Sequence, residues 1–152
     1  LPNLTQELIR LDPDGTDIYQ ANEEKFAAKL DALDQEVGKL LVNVKGAGVL
    51  LFHPSIQYLL TDYGLDIAAV VEPSPGKEPT PRLIAGLAAL ARKQHLKAVF
   101  TEPQLPEAPA RVISEETHLP LFTLDPLGGQ PGRETYEALI RYNARTLAEA
   151  LQ

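Results

Sequence analysis

The sequence predicts an α/β protein with an open, four-stranded, mainly parallel sheet, helices on both faces, and a long linker helix before the sheet. Short apolar runs alternate with helical patterns from residue 44 onward, which is typical of βαβ units. Each run is almost unbroken, as expected for strands that are buried on both faces. Before them, one helical stripe extends from Tyr19 to Leu40. We therefore predict a helical segment over residues 1–43 and an α/β lobe over residues 44–152.

Within the helical segment, the spacing of leucines predicts a short helix from Pro2 to Leu11. The sequence Asp-Pro-Asp-Gly at 12–15 predicts a turn, because proline fixes φ and glycine permits a positive φ. Thr16 or Asp17 is expected to cap the next helix, about 35–40 Å long at 1.5 Å per residue. Its apolar face is predicted to contain Tyr19, Phe26, Leu30, Leu33, Val37 and Leu40.

The α/β lobe begins after Lys45-Gly46. Thr80 is expected to cap a helix with Pro81 at its first position, where proline is tolerated. Leu83, Leu87, Leu90 and Ala91 are expected to face inward, and residues 72–81 are predicted to be a proline-rich loop. The predicted strands are 48–52, 66–71, 97–101 and 121–124, and the predicted helices are 55–63, 81–94, 108–117 and 134–151.

Composition limits the possible functions. The chain has 152 residues, enough for one ordinary domain, and its 44% hydrophobic and 23% charged residues indicate a soluble globular protein. A formal net charge of −7 argues against nucleic-acid binding, which needs a positive field. Cysteine is absent, which excludes disulfides, thiolate metal sites and cysteine nucleophiles. No run of about 18 apolar residues predicts a membrane span.

Every predicted strand ends in a polar residue that is followed directly by proline. These four residues are His53, Glu72, Glu102 and Asp125. The carboxyl ends of parallel strands share one edge of an open sheet, and ligands bind in the crevice there. Proline also stiffens each exit from the sheet.

His53 and Asp125 together form the best candidate for a functional pair. Either residue alone has a simpler explanation, as a loop hydrogen bond for the histidine and a turn or cap for the aspartate. Together at one edge, an imidazole and a carboxylate suit zinc, manganese or iron(II). Glu72 and Glu102 are expected to support these ligands rather than to bind the ion, Glu102 being the better candidate.

Other catalytic and binding motifs are absent from the sequence. His95 and His118 are expected at helix ends, and the histidines form no HExxH pattern. No serine lies in a GxSxG context. The glycines between Gly128 and Gly132 lack the lysine and serine of a phosphate loop, so a flexible loop is the simpler interpretation.

The order of these segments resembles the metal-binding receptors of zinc/manganese-type ABC uptake systems. The resemblance covers essentially the whole chain and rests on LDPDG, FHPSIQYLLTDYGL, GKEPTPRLIAGL, AVFTEPQ, ISEETHLPLFTLDPLGG and ETYEALIRYNARTLAEAL. In that family a rigid helix joins two α/β lobes, and the metal lies between them. The chain would then be an excised piece that comprises the end of the helical region, the linker helix and the C-terminal lobe, without the N-terminal lobe.

The resemblance implies that His53 and Asp125 are the two metal ligands of the C-terminal lobe. Family members commonly have His-Asp where this chain has His53-Pro54, and the chain lacks the His-rich acidic loop of some zinc-specific members. The remaining ligands would come from the N-terminal lobe. This piece should therefore bind metal weakly, and only while His53 is neutral.

The function implied is a non-enzymatic substrate-binding component that passes Zn, Mn or Fe to an ABC permease. Zinc is the first choice among these metals. A periplasmic or other extracytoplasmic location follows, with a lipid anchor as one option, and some members are linked to cell adhesion. Two alternatives stay open: a small metal-dependent hydrolase that uses His53, Asp125 and Glu102, and an interaction module that binds no ligand.

Overall fold

The computed structural model describes residues 1–72 and 79–152. They form two compact units, Leu1–Val37 and Gly38–Gln152. The predicted division between residues 43 and 44 stays a prediction. Most of the predicted proline-rich loop, residues 73–78, lies outside the described residues. None of the described helices combines the length and the apolar content needed to cross a membrane.

The first helix, α1 (Pro2–Leu11), has the predicted bounds. A 3-10 turn, Pro13–Gly15, separates it from α2 (Thr16–Leu41), whose 26 residues confirm the predicted long helix. The prediction that Thr16 or Asp17 caps α2 is wrong, because both residues lie within the helix. Thr16 already has helical φ and ψ angles, and its hydroxyl donates to the Pro13 carbonyl oxygen (2.7 Å) instead of accepting from the helix.

The sheet has four parallel strands in the order β2-β1-β3-β4, which confirms the predicted architecture. All four strands are shorter than predicted: β1, β2 and β4 each end one residue earlier, and β3 begins two residues later, differences within the usual uncertainty of element boundaries. Their bounds are β1 Gly48–Leu51, β2 Asp66–Val70, β3 Val99–Thr101 and β4 Leu121–Thr123.

Four helices accompany these strands: α3 Gln57–Asp62, α4 Pro81–Gln94, α5 Glu107–Thr117 and α6 Tyr136–Leu151. The predicted cap of α4 is confirmed, because Leu83 N–H donates to Thr80 Oγ1 (3.3 Å). The inward orientation predicted for Leu83 is wrong. Its side chain is 39% exposed, and the buried face of α4 instead carries Leu87, Ala88 and Ala91.

Apolar side chains are buried on both faces of the sheet. Residues Leu50 and Val99 belong to a core cluster that includes Leu87 and Ala91 of α4 and Ile113 of α5. Successive side chains of a strand point to opposite faces. Val49 and Leu51, which alternate with Leu50 along β1, are also buried, so the other face is covered as well.

The strand order reverses direction within the sheet. The chain leaves β1 for β2 on one side and then returns past β1 to β3 and β4 on the other. The order therefore reverses between β1 and β3, which is where open α/β sheets bind their ligands.

The buried side chain of Asn143, on α6, forms two hydrogen bonds with the backbone that follows β4. Asn143 Oδ1 accepts from Asp125 N–H (2.8 Å), and Asn143 Nδ2–H donates to the Asp125 carbonyl oxygen (2.7 Å). Tyr142 O–H adds a bond to the Thr123 carbonyl oxygen (3.1 Å). These bonds satisfy backbone groups just past the strand, where the ladder no longer can.

We expect Ile113→Ala to destabilise the lobe by about 2–5 kcal/mol, because it leaves a cavity under the sheet. Val112→Ala is the matched control, since Val112 is adjacent on α5 and 44% exposed while Ile113 is 0% exposed. The control should cost less than about 1 kcal/mol. Urea denaturation measures both variants, and equal midpoints would show that α5 does not pack as described.

We expect Asn143→Ala to lower the free energy of unfolding by roughly 2–4 kcal/mol, because two buried backbone groups of Asp125 lose their partners. Asn22→Ala, at an exposed position of α2, removes the same amide without this loss. Thermal and urea unfolding should separate the two variants clearly. A loss for Asn143→Ala no larger than for Asn22→Ala would contradict the anchoring role.

Candidate metal centre

All four polar residues that were predicted at the strand ends lie at the carboxyl edge of the parallel sheet. His53 and Glu72 follow the neighbouring strands β1 and β2, and their side chains are in contact. Ser55 O–H, after β1, donates to Glu102 Oε1 after β3 (2.5 Å). Gln104 Nε2–H, also after β3, donates to Asp125 Oδ1 after β4 (2.7 Å). Side-chain contacts thus connect the ends of all four strands.

His53 is 9% exposed and is held by its Nδ1 atom. This nitrogen lies 3.2 Å from the backbone oxygen of Glu72. A carbonyl oxygen only accepts, so the contact requires the proton on Nδ1. In a neutral ring the lone pair is then on Nε2, the arrangement that metal-binding histidines use. The Phe52 ring packs edge-on against the imidazole, with centroids 4.9 Å apart, and fixes its orientation.

Among residues 1–72 and 79–152, the carboxylate within ion-pair distance of His53 is that of Glu72, not that of Glu102. Glu72 Oε2 lies 3.6 Å from His53 Nε2, too far for a hydrogen bond and close enough for attraction to a protonated ring. Sequence reasoning favoured Glu102 as the supporting residue. Strand order does not choose between the two glutamates, because β2 and β3 both border β1. Glu102 instead accepts a hydrogen bond from Ser55 O–H, and its supporting role stays a prediction.

Asp125 is fully buried, and one of its oxygens is saturated with donors. Asp125 Oδ1 accepts from Gln104 Nε2–H (2.7 Å), Gly128 N–H (3.0 Å) and Leu127 N–H (3.1 Å). Gly128 adopts a φ of +75°, which turns its N–H toward the carboxylate. A Cβ at this glycine would also lie 2.8 Å from the Arg133 carbonyl oxygen, so glycine is needed here.

The other oxygen, Asp125 Oδ2, faces the guanidinium of Arg133. Arg133 Nη1 lies 3.1 Å away, within ion-pair distance. Within residues 1–72 and 79–152, however, neither atom makes an aligned hydrogen bond. Burial raises the pKa of Asp125, but the Gln104 bond, the two backbone donors and the Arg133 charge together lower it below its usual range. The carboxylate is therefore ionised at neutral pH.

This edge of the sheet offers an imidazole nitrogen and an ionised carboxylate oxygen, both suited to a divalent transition metal. In the part of the chain that the structure describes, no three His, Asp or Glu side chains converge on one point. Sequence reasoning missed Gln104 and Arg133. Gln104 could have been found as the second residue after Glu102 at a strand end, whereas nothing in the spacing marks Arg133.

The other two histidines lie at helix ends, as predicted. His95 ends α4 and His118 ends α5, each in the left-handed conformation, with φ of 53° and 58°. Their backbone N–H groups bond to carbonyl oxygens in the last turns of these helices. Both residues therefore terminate helices and take no part in the site at the strand ends.

Comparisons of the sequence with protein families and with individual proteins indicate the same family. A family model described as "ZnuA: Zinc-uptake complex component A periplasmic" matches residues 1–150. The high-affinity zinc uptake system protein ZnuA of Brucella abortus is 30% identical over 151 residues, which cover 98% of this chain and 45% of that protein. The manganese ABC transporter substrate-binding lipoprotein PsaA of Streptococcus anginosus is 26% identical over 156 residues, covering 98% and 50%.

The structural comparison agrees with the sequence comparison. A crystal structure of ZnuA superposes with a TM-score of 0.86 at 31% identity, covering 98% of this chain and 56% of that chain. This chain spans about half the length of the curated relatives that it matches. The match to the family model extends over nearly all of its 152 residues and confirms the resemblance found in the sequence. The chain belongs to the family of ZnuA, the periplasmic component A of zinc-uptake complexes.

Proposed function

We propose that this chain is the C-terminal metal-capturing lobe, with its linker helix, of the substrate-binding component of an ABC uptake system. The metal ion is the transported cargo. The relatives named for zinc uptake and for manganese transport support this class of cargo. Zinc is the first candidate, and manganese and iron are the alternatives. By analogy with these relatives, the complete protein would work outside the cytoplasm, periplasmic or lipid-anchored, and would deliver its ion to a permease.

The observation that carries the proposal is the state of Asp125 Oδ2. This oxygen belongs to an ionised carboxylate, is fully buried, and makes no hydrogen bond among the described residues. Arg133 lies beside it at ion-pair distance, but a charged, buried oxygen that accepts no hydrogen bond is costly to maintain, and it is usually explained by a function or a bound ion. A metal ion would give it a direct ligand bond, which the poorly aligned Arg133 guanidinium does not provide.

His53 supplies the second ligand in this proposal. Its Nδ1–H is used by the Glu72 carbonyl oxygen, which leaves Nε2 for an ion. Strand β3 alone separates β1 from β4, so the two backbones lie roughly 10 Å apart. A histidine and an aspartate side chain that lean toward each other can span this gap with one ion between them. Glu72 and Glu102 support the site. Glu72 does so by contacting the His53 ring.

Two ligands leave the coordination shell incomplete. Zinc usually takes four ligands, and manganese prefers about six oxygen or nitrogen donors. We infer that the missing donors come from an N-terminal lobe, for which the greater length of the relatives leaves room. The isolated chain should consequently bind metal weakly.

Capture and release, rather than catalysis, is the activity that we infer. A metal-dependent hydrolase that uses His53, Asp125 and Glu102 would need a third ligand and a general base. Glu102 instead accepts a hydrogen bond from Ser55, and the described residues hold no convergent third ligand. An interaction module that binds no ligand would give no reason for a buried Asp125 Oδ2 that is paired with Arg133 but accepts no hydrogen bond among the described residues.

We expect the wild-type chain to bind Zn²⁺ and Mn²⁺ weakly in calorimetric titrations, and the double variant His53→Gln, Asp125→Asn to give no binding heat. The substitutions are close in size to the native residues, and they remove one ligand nitrogen and one ligand charge. Circular dichroism verifies that each variant is folded.

His95→Asn is the matched control for this titration. It removes an imidazole at a helix end, where asparagine tolerates a positive φ, and should leave metal binding unchanged. Equal heats from the wild type and the double variant would eliminate the proposal. A loss of heat in the control would also count against it, because binding would then depend on imidazoles elsewhere in the chain.

A further inference from the structure

We propose that Arg133 sets the metal affinity of this site, because its guanidinium competes with the metal ion for the Oδ2 oxygen of Asp125. The inference rests on the proposed function and extends it. Arg133 would neutralise the buried carboxylate in the metal-free protein. It would also weaken metal binding enough to keep capture reversible.

The first support is that the two oxygens of Asp125 are not equivalent. Oδ1 already accepts three hydrogen bonds, from Gln104, Leu127 and Gly128, and has no free direction for an ion. Oδ2 is thus the one oxygen of this carboxylate on which an incoming cation can bind. Arg133 Nη1 lies 3.1 Å from it, so the guanidinium and the metal need the same atom.

The second support is the poor geometry of the Arg133 contact. The side chain is only 15% exposed, yet Nε and Nη1 make no hydrogen bond among the described residues. An Arg–carboxylate pair is usually bidentate, with two parallel hydrogen bonds. Here the pair is held by charge alone. An ion pair without directed hydrogen bonds is displaced more readily than a bidentate one, so a divalent ion can compete with it.

The third support is that Arg133 is held in place independently of Asp125. Its guanidinium carbon lies 4.3 Å from the centroid of the Tyr142 ring, a cation–π contact. The Arg133 backbone N–H donates to the Gln130 carbonyl oxygen (2.9 Å), and its carbonyl oxygen accepts from Gly129 N–H (3.0 Å). The positive charge therefore stays close to the site when the ion arrives.

These features have opposite effects on the metal-free and the metal-bound protein. Without metal, the guanidinium stabilises a buried negative charge. With metal, a zinc–oxygen bond of about 2.0–2.2 Å would bring two positive charges to one oxygen, where they repel each other at low dielectric. Removing the arginine should therefore destabilise the metal-free protein and strengthen metal binding.

The test is a titration of the full chain with zinc chloride at fixed neutral pH, together with thermal unfolding of the metal-free protein. For Arg133→Gln we expect the zinc dissociation constant to fall about tenfold and the metal-free Tm to drop. Arg133→Met keeps the apolar stem against Tyr142 and provides the same test if the glutamine variant does not fold. Arg133→Lys keeps the charge and should stay close to the wild-type affinity.

Arg145→Gln is the matched control. Arg145 is an exposed residue of α6, and its removal changes the formal net charge by the same amount. Its effect on zinc affinity should be less than about twofold, because solvent screens an exposed charge. In an Asp125→Asn background, Arg133→Gln should no longer strengthen zinc binding, because the carboxylate charge for which Arg133 and zinc compete has been removed.

The outcomes separate the two proposals. If the wild type binds zinc and the folded Arg133→Gln or Arg133→Met variant binds it with equal or lower affinity, Arg133 is not a competitor and this inference fails alone. The inference fails in the same way if Arg145→Gln strengthens binding as much as Arg133→Gln. If neither the wild type nor any Arg133 variant binds zinc, the proposed function fails and this inference with it.

Discussion

Burying an ionised carboxylate costs several kcal/mol unless hydrogen bonds and an opposite charge replace the water that it loses. Asp125 is fully buried and meets this requirement with groups from separate segments of the chain. Gln104 reaches it from the end of β3, Gly128 from the loop after β4, and Arg133 from just before α6. Asn143 holds its backbone from within α6. One charged residue thus connects the ends of β3 and β4, the loop that follows β4, and α6.

The two oxygens of the Asp125 carboxylate are not stabilised equally, and the proposed function depends on this difference. Folding saturates Asp125 Oδ1 with donors but gives Oδ2 only the loosely aligned charge of Arg133. A fully satisfied carboxylate would stabilise the lobe and would bind nothing further. A carboxylate with one oxygen that accepts no hydrogen bond could still bind an external cation, at some cost in stability. The same residue can therefore belong to the fold and to the proposed site.

Parallel topology places His53 and Asp125 at the same edge of the sheet although they are far apart in sequence. Every strand runs in the same direction, so each exit from the sheet falls on the same side. Each pairing across that edge then depends on which strands are neighbours. Because β2 borders β1, Glu72 contacts His53, and because β3 borders β4, Gln104 contacts Asp125. Strand order thus limits which side chains can come into contact across this edge, and the local conformation of each strand end decides between them.

The sequence alone determined the α/β class, the long helix and the edge on which the strand-end residues lie, because apolar runs and proline boundaries are local signals. It predicted the inner face of α4 only in part, since the exposure of Leu83 depends on how the helix is rotated against its neighbours. Tertiary structure alone decided that Glu72 faces His53 and that Arg133 faces Asp125. Such contacts join residues brought together by strand order and loop geometry, and no local pattern encodes that proximity.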